Sequence, residues 1–243
     1  MGVHVSAQNL GLKASRGWVY RDVTLHVDAG ALAAITGPAS SGRTSLLLTL
    51  AGRMKPSAGQ AQVGEHALPR HLHAVQRMVG LGVFHGVNDL DETLRVSDLV
   101  REQLSLRRRA RHVAGVRGVL DRVGLDLDPH LLARDLHPDQ RVLLGAALGL
   151  VGDPQVLLVD DLDVGCVADA QRGVWAALRG VADSGVTVLA SCLDPAPGRD
   201  AQLLDTVVSI VDPAALAVVA APVSIELGPT ELGSTTVPAD VEV

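Results

Sequence analysis

The segment that most constrains this 243-residue chain is the run Gly37, Pro38, Ala39, Ser40, Ser41, Gly42, Arg43, Thr44 and Ser45. It follows a short apolar stretch, residues 31–36, and leads into TSLLLTLAGRM, where Leu46, Leu47 and Leu50 suit one face of a helix packed on a sheet. A strand, a Gly-containing loop and a helix in that order turn backbone N–H groups inward at a helix N-terminus, which makes a cradle for phosphate. The spacing is that of a phosphate-binding P-loop, except that Arg43 stands where lysine is expected. Arginine keeps the positive charge, but its planar fork is longer and wider than a compact ammonium, so the exchange is not conservative. Thr44 is placed to hold Mg2+. A Gly/Ser turn that merely caps a helix would leave a similar trace, so the reading needs a second motif.

That motif is VLLVDD, residues 156–161, in which four apolar residues end in the carboxylates Asp160 and Asp161. A buried strand ending in acids suits a Mg2+-bound water, and with the loop at Gly37 it points to a P-loop nucleotide-binding protein. The rest of the chain agrees with an α/β fold. Residues 3–7 and 19–27 alternate as antiparallel strands, residues 78–84 and 185–190 read as strands, and residues 140–150 and 169–181 as helices. Strands alternating with helices imply parallel βαβ units. Between 86 and about 135 the chain is richer in charge and reads as a helical insert, with Ser97 as an N-cap and Gly124 as a C-cap. Domain 1–221 is expected to fold, and the Pro/Thr/Glu/Val-rich tail 222–243 is expected to be disordered. No internal repeat is present.

Composition narrows the partners. Aromatic residues make up 2% of the chain and the formal net charge is −6, which argues against a nucleic-acid-binding surface built on stacking and a basic face. The two cysteines, Cys166 and Cys192, lack metal-ligand spacing and fit a reduced chain. No apolar run reaches the length of a membrane span; the longest, residues 214–225, is broken by Pro222. The N-terminus lacks the basic and apolar regions of a signal peptide. The expectation is a cytoplasmic protein, peripheral to the cytoplasmic membrane. The basic run of residues 107–112 reads as a solvated helix face, as a contact for a partner's cytoplasmic helix, or as a contact for anionic lipid.

From about residue 3 to 211 the order of landmarks resembles the nucleotide-binding subunit of an ABC transporter: antiparallel strands before the loop, a helical insert, and LHPDQRVLLGAALGLVGDPQVLLVDD running from the signature Gln140 through Asp153-Pro154 to Asp160. A small GTPase is the competing P-loop class, but the Asn-Lys-x-Asp guanine-reading motif is absent, and Asn88-Asp89 does not supply it. The resemblance implies a P-loop core with an antiparallel β-subdomain and an inserted helical subdomain. It further implies ATP and Mg2+ as cofactors, a membrane permease as partner, and a homo- or heterodimer with another ATP-binding subunit. The phosphates would lie in the loop from Gly37 to Ser45, with Asp160 holding the metal through water.

The same resemblance marks departures. The glutamate that positions the attacking water falls on Asp161, one methylene shorter, and a misplacement of about 1 Å can cost on the order of 100-fold in rate. The metal-contacting glutamine falls on His85, which is either a poorer nitrogen ligand for Mg2+ or an ordinary loop histidine. The histidine that contacts the γ-phosphate falls on Leu193. The D-loop aspartate falls near Val167, with Asp169 two residues on. The signature LSGGQ becomes Leu136-His137-Pro138-Asp139-Gln140, in which Pro138 removes an N–H and Asp139 puts negative charge where an anion should approach. Pro and Asp are nevertheless good helix-start residues, so the structural role survives. Trp18 is the aromatic nearest to the expected adenine-stacking position; its other reading is packing within the β-subdomain. The implied function is an ATP-binding subunit that binds and slowly hydrolyses ATP to drive a permease. The alternative is a degenerate pseudo-ATPase acting as a regulatory or structural adaptor.

Overall fold

A computed structural model describes residues 1–106 and 115–211. The basic run and the tail singled out above lie outside the described residues. In chain order the elements are β1 (Val5–Ala14), β2 (Gly17–Val27), β3 (Leu32–Thr36), α1 (Arg43–Leu50), β4 (Ala58–Val63), β5 (His66–Leu68), α2 (Leu72–Met78), β6 (Val79–Leu81), α3 (Val96–Leu106), α4 (Gly115–Asp121), α5 (Pro138–Leu150), β7 (Val156–Val159), α6 (Ala168–Asp183), β8 (Thr187–Cys192), α7 (Ala196–Asp200) and β9 (Thr206–Ser209). They build a four-stranded sheet ordered β2-β1-β4-β5 and a five-stranded sheet ordered β6-β7-β8-β3-β9. Pairing is antiparallel throughout the first and parallel throughout the second.

The parallel strands are apolar on both faces because both faces are covered. In β3, Ala33 and Ile35 pack with Leu46, Leu47 and Leu50 of α1 and with the antiparallel sheet, whereas Leu32 and Ala34 face Trp175 and Leu178 of α6 and the helices of the insert. The same alternation runs through β7, where Val156 and Leu158 join the first cluster and Leu157 and Val159 the second. Helix α6 buries Val174, Trp175, Leu178, Val181 and Ala182, a stripe at helical spacing.

The first strand is longer than its sequence pattern suggests. Val5 and Ala7 are buried, then Leu10 and Leu12, so the buried parity changes at Asn9, whose φ is 48°. The register with β2 shifts at the same place, which identifies a β-bulge that returns the leucines to the core. Three further boundaries move. The strand expected over 78–84 is confined to Val79–Leu81. Helix α3 begins at Val96, so Ser97 lies inside it and is not the cap. Helix α4 ends at Asp121, and Gly124 closes the turn beyond it in a left-handed conformation, its N–H donating to the Asp121 carbonyl.

The carboxyl ends of β3, β7 and β8 come together on one edge of the parallel sheet, where ligands bind in folds of this kind. Among the described residues no helix is long and apolar enough to cross a membrane.

Candidate functional site

The loop after β3 is held open by its two glycines. Gly42 has φ of 88°, and a Cβ there would lie 2.5 Å from the Val19 carbonyl of β2. A Cβ on Gly37 would lie 2.6 Å from the Ile210 carbonyl and 2.7 Å from Ser41 Oγ. Pro38, Ala39 and Ser40 are exposed at the crest, and Thr44 and Ser45 are half-buried in the first turn of α1. Ser41 is 1% exposed, and its Oγ has no hydrogen-bond partner among the described residues. An unsatisfied buried hydroxyl costs about 1–3 kcal/mol, and a ligand oxygen at the loop would recover it.

Arg43 does not project into solvent. It is 8% exposed and its guanidinium turns back over the loop. Nη1 donates to the carbonyls of Gly37 and Pro38, the latter at 3.1 Å, and Nη2 donates to Asp161 Oδ1 at 2.7 Å. Nε is buried without a partner among the described residues.

The acids are placed by β7 and tuned by β8. Asp160 is 8% exposed, and Ser191 Oγ donates to its Oδ1 at 2.5 Å. The same hydroxyl oxygen accepts the Asp161 N–H at 2.8 Å. Burial raises the Asp160 pKa, opposed by hydrogen bonds from Ser191 and Thr44; the charge of Asp161 adds to the rise, and Arg43 opposes it. The Thr44 hydroxyl lies near enough to the Asp160 carboxylate to influence its pKa, and the two make a hard-oxygen pair of the type that Mg2+ takes. With the orphaned Ser41 hydroxyl and the glycine cradle, this donor set fits a nucleotide phosphate and its magnesium.

His85 sits apart from those oxygens. Its side chain is fully exposed, with Nδ1 3.1 Å from Asp89 Oδ1. It lines a cleft of about 460 Å3 with Val83, Pro138, Asp160, Asp161 and Gly165. No cluster of three His, Cys, Asp or Glu side chains suited to a metal occurs among the described residues.

Pro138 begins α5, and Gln140 Oε1 accepts the His137 N–H at 3.0 Å, so the altered signature caps its helix from within. Leu193, just past β8, is 51% exposed and offers no polar side-chain atom. Its N–H donates to Asp163 Oδ2 at 2.7 Å, and the Asp194 N–H reaches the same oxygen at 3.2 Å. Asp163 therefore fixes the turn after β8. Trp18 is half-buried over Gly11, with Lys13 Nζ 5.9 Å and the Arg21 guanidinium carbon 5.4 Å from its ring centroid.

Sequence reasoning missed Ser191 and Asp163. Each acts across strands that lie about 30 residues apart in the chain, and only their position after an apolar strand or beside the acids hinted at a role.

Residues 20–163 match the family described as "ABC transporter". The chain belongs to the ABC transporter family. Among its relatives, the phosphonates import ATP-binding protein PhnC of Hyphomonas neptunium is 33% identical over 69% of this chain and 68% of its own length. The daunorubicin resistance ATP-binding protein DrrA3 of Streptomyces coeruleorubidus is 29% identical over 68% of this chain and 52% of its own. A Nod factor export ATP-binding protein I of Ralstonia nicotianae is 28% identical over 76% of this chain and 58% of its own. The chain thus spans between half and two thirds of the length of several curated ABC relatives it matches. The ATP-binding cassette MJ0796, solved as a dimer in a post-hydrolysis state bound to ADP and Pi, superposes with a TM-score of 0.70 at 19% identity, covering 86% of this chain and 94% of that one. The likeness is one of fold: an antiparallel subdomain beside a parallel P-loop sheet is the ABC ATPase architecture.

Proposed function

We propose that the chain is the ATP-binding subunit of an ABC-type transporter, which binds Mg·ATP and hydrolyses it slowly to drive a membrane permease from the cytoplasmic side. The observation that carries this reading is the glycine cradle with the buried, unpartnered Ser41 hydroxyl, set opposite two acids that Ser191 ties to the end of β8. Gly37, Pro38, Ala39, Ser40, Ser41, Gly42, Arg43, Thr44 and Ser45 would surround the phosphates. Thr44 and Asp160 would hold magnesium, which when bound would neutralise phosphate charge, and Asp161 would orient the attacking water. His85 would join the metal's ligands only by turning from Asp89 into the cleft, where a nitrogen is the weaker ligand for Mg2+. The base would stack on Trp18 after Lys13 or Arg21 leaves its face.

The names of the relatives support ATP as the ligand. A second ATP-binding subunit with an intact signature would complete the site, because the Pro138-Asp139 signature is a poor grip for another copy's phosphate. Leu193 lies beside this chain's own loop, where Thr36 Oγ1 donates to its carbonyl at 2.9 Å, and its missing polar group is not one that a partner restores. A heterodimer follows from the altered signature.

One observation favours the alternative, a pseudo-ATPase adaptor: the phosphate-facing cation is already engaged by Gly37, Pro38 and Asp161. Phosphate release from Mg·ATP by the purified chain separates the two. The motor reading expects slow turnover that Asp161→Ala abolishes and that the combined Leu193→His, Asp161→Glu and Arg43→Lys changes raise. Bound ATP with no release in any of these variants, the permease included, would establish the adaptor.

A further inference from the structure

The two departures that flank the phosphate site, arginine for lysine and aspartate for glutamate, meet each other. Arg43 is longer than lysine and Asp161 shorter than glutamate, and Nη2 closes on Oδ1 at 2.7 Å. The Asp161 backbone is held for this contact: its φ is 44°, and its N–H is fixed by Ser191 Oγ at 2.8 Å. The guanidinium is almost fully buried, whereas Asp161 remains two-fifths exposed and has room to leave.

We propose that Arg43 and Asp161 form a latch across the phosphate cradle that the terminal phosphate of a nucleoside triphosphate opens. The proposal rests on the nucleotide-binding reading above. A carboxylate and a phosphate are rival oxyanions for one planar fork. The residue in this loop position reaches the β- and γ-phosphates, so a third phosphate takes the donors that Asp161 occupies. Asp161, displaced beside Asp160, is then free to meet water. A diphosphate offers only its β-phosphate to the guanidinium, without the third group that would take Nη2, and leaves the latch closed. Arg43 is thereby a positioning residue for Asp161 as well as a phosphate ligand, and the free subunit keeps its water-orienting carboxylate tied down.

The test is calorimetric titration of the full chain with Mg·ATP and Mg·ADP, using wild type, Asp161→Asn, Arg43→Met and the double variant, alongside melting curves without nucleotide. Asp161→Asn should tighten ATP by roughly tenfold, the scale of one charge-assisted hydrogen bond, and tighten ADP far less. In the R43M background the gain for ATP should fall below about twofold. Without nucleotide, Asp161→Asn should lower Tm when Arg43 is present and leave it unchanged in the R43M background. Equal gains for ATP and ADP, or a gain that persists in the R43M background, would mean plain charge repulsion and overturn the latch while the nucleotide site stands. If R43M binds too weakly to titrate, the ATP-to-ADP contrast and the melting cycle decide. A wild type that does not bind ATP beside an Asp161→Asn variant that does would overturn the latch as a switch that the nucleotide opens. Folded wild-type and Asp161→Asn proteins that both fail to bind would overturn the nucleotide reading, and the latch with it.

Discussion

Tyr20, buried beside the phosphate loop, and Gly42, within it, make its energetics measurable one residue at a time. Tyr20 is the only tyrosine, fully buried, with its hydroxyl donating to Thr49 Oγ1 at 2.7 Å. Burial pushes its pKa up to about 12, and the Thr49 hydrogen bond offsets part of that rise. Tyrosinate absorbance should therefore titrate near 12 in the folded protein and not near 10. Because the folded-state pKa is the higher one, the neutral phenol's contribution to stability is complete below pH 10 and is lost as pH rises from 10 towards 12. Titration at the model-peptide value in a folded sample would contradict the packing of β2 on α1. Gly42 offers a second test: Gly42→Ala puts a Cβ against the Val19 carbonyl at a positive φ, and should cost about 1–3 kcal/mol in strain and abolish phosphate binding. A melting curve and an ATP titration of that variant read both effects.

At the scale of elements, Asp205 ties three of them together. Its carboxylate accepts the Leu32 N–H of β3 at 2.7 Å and Arg179 Nη1 of α6 at 2.6 Å, just before β9 begins. Desolvation works against the carboxylate, but those two donors outweigh it and hold its pKa below the usual range. The stability it contributes is present above the unfolded-state pKa and is lost as pH falls through the lower folded value. Asp205→Asn should cost about 1 kcal/mol near neutral pH, kept small by its partial exposure, and the gap from wild type should close in acid. A gap in Tm that does not change with pH would contradict this. Trp175 anchors the other side of α6, with Gly198 of α7 against its ring, and Trp175→Ala should cost about 3–5 kcal/mol.

These elements also show what the residues alone could reveal. The core strands and α1, α5 and α6 were legible, because β3, β7 and β8 are short apolar runs beside helices with one apolar face. The end of β1 was hidden by the bulge at Asn9, which breaks the alternation that marks a strand. Strands β4 and β5 were missed: β4 is polar and largely exposed, and β5 has three residues, so neither leaves an apolar trace. Strand β9 was missed because its four residues lie partly exposed at a sheet edge. At the site, the glycines, Arg43 and both acids could be read from spacing. The ties through Ser191 and Asp163 could not, since register between distant strands sets them, and no spacing rule announces that Arg43 and Asp161 touch.

At the scale of the whole molecule, the proposed site joins a glycine cradle for this chain's own nucleotide to a poor complement for a second copy's phosphate: Pro138 has no N–H and Asp139 is negative. The chain alone, given Mg·ATP, should remain monomeric in sedimentation, and should assemble only with a cassette whose signature is intact. Self-association driven by ATP would contradict the heterodimer. The expectations about binding, turnover and the Arg43–Asp161 latch all depend on whether the loop from Gly37 to Ser45 holds phosphate. The most direct measurement is a calorimetric titration of the folded chain with Mg·ATP, repeated with Arg43→Ala. Saturable binding in the wild type that is strongly weakened in Arg43→Ala is the expected result; no heat at millimolar ATP from a folded wild-type sample would contradict the account at its centre.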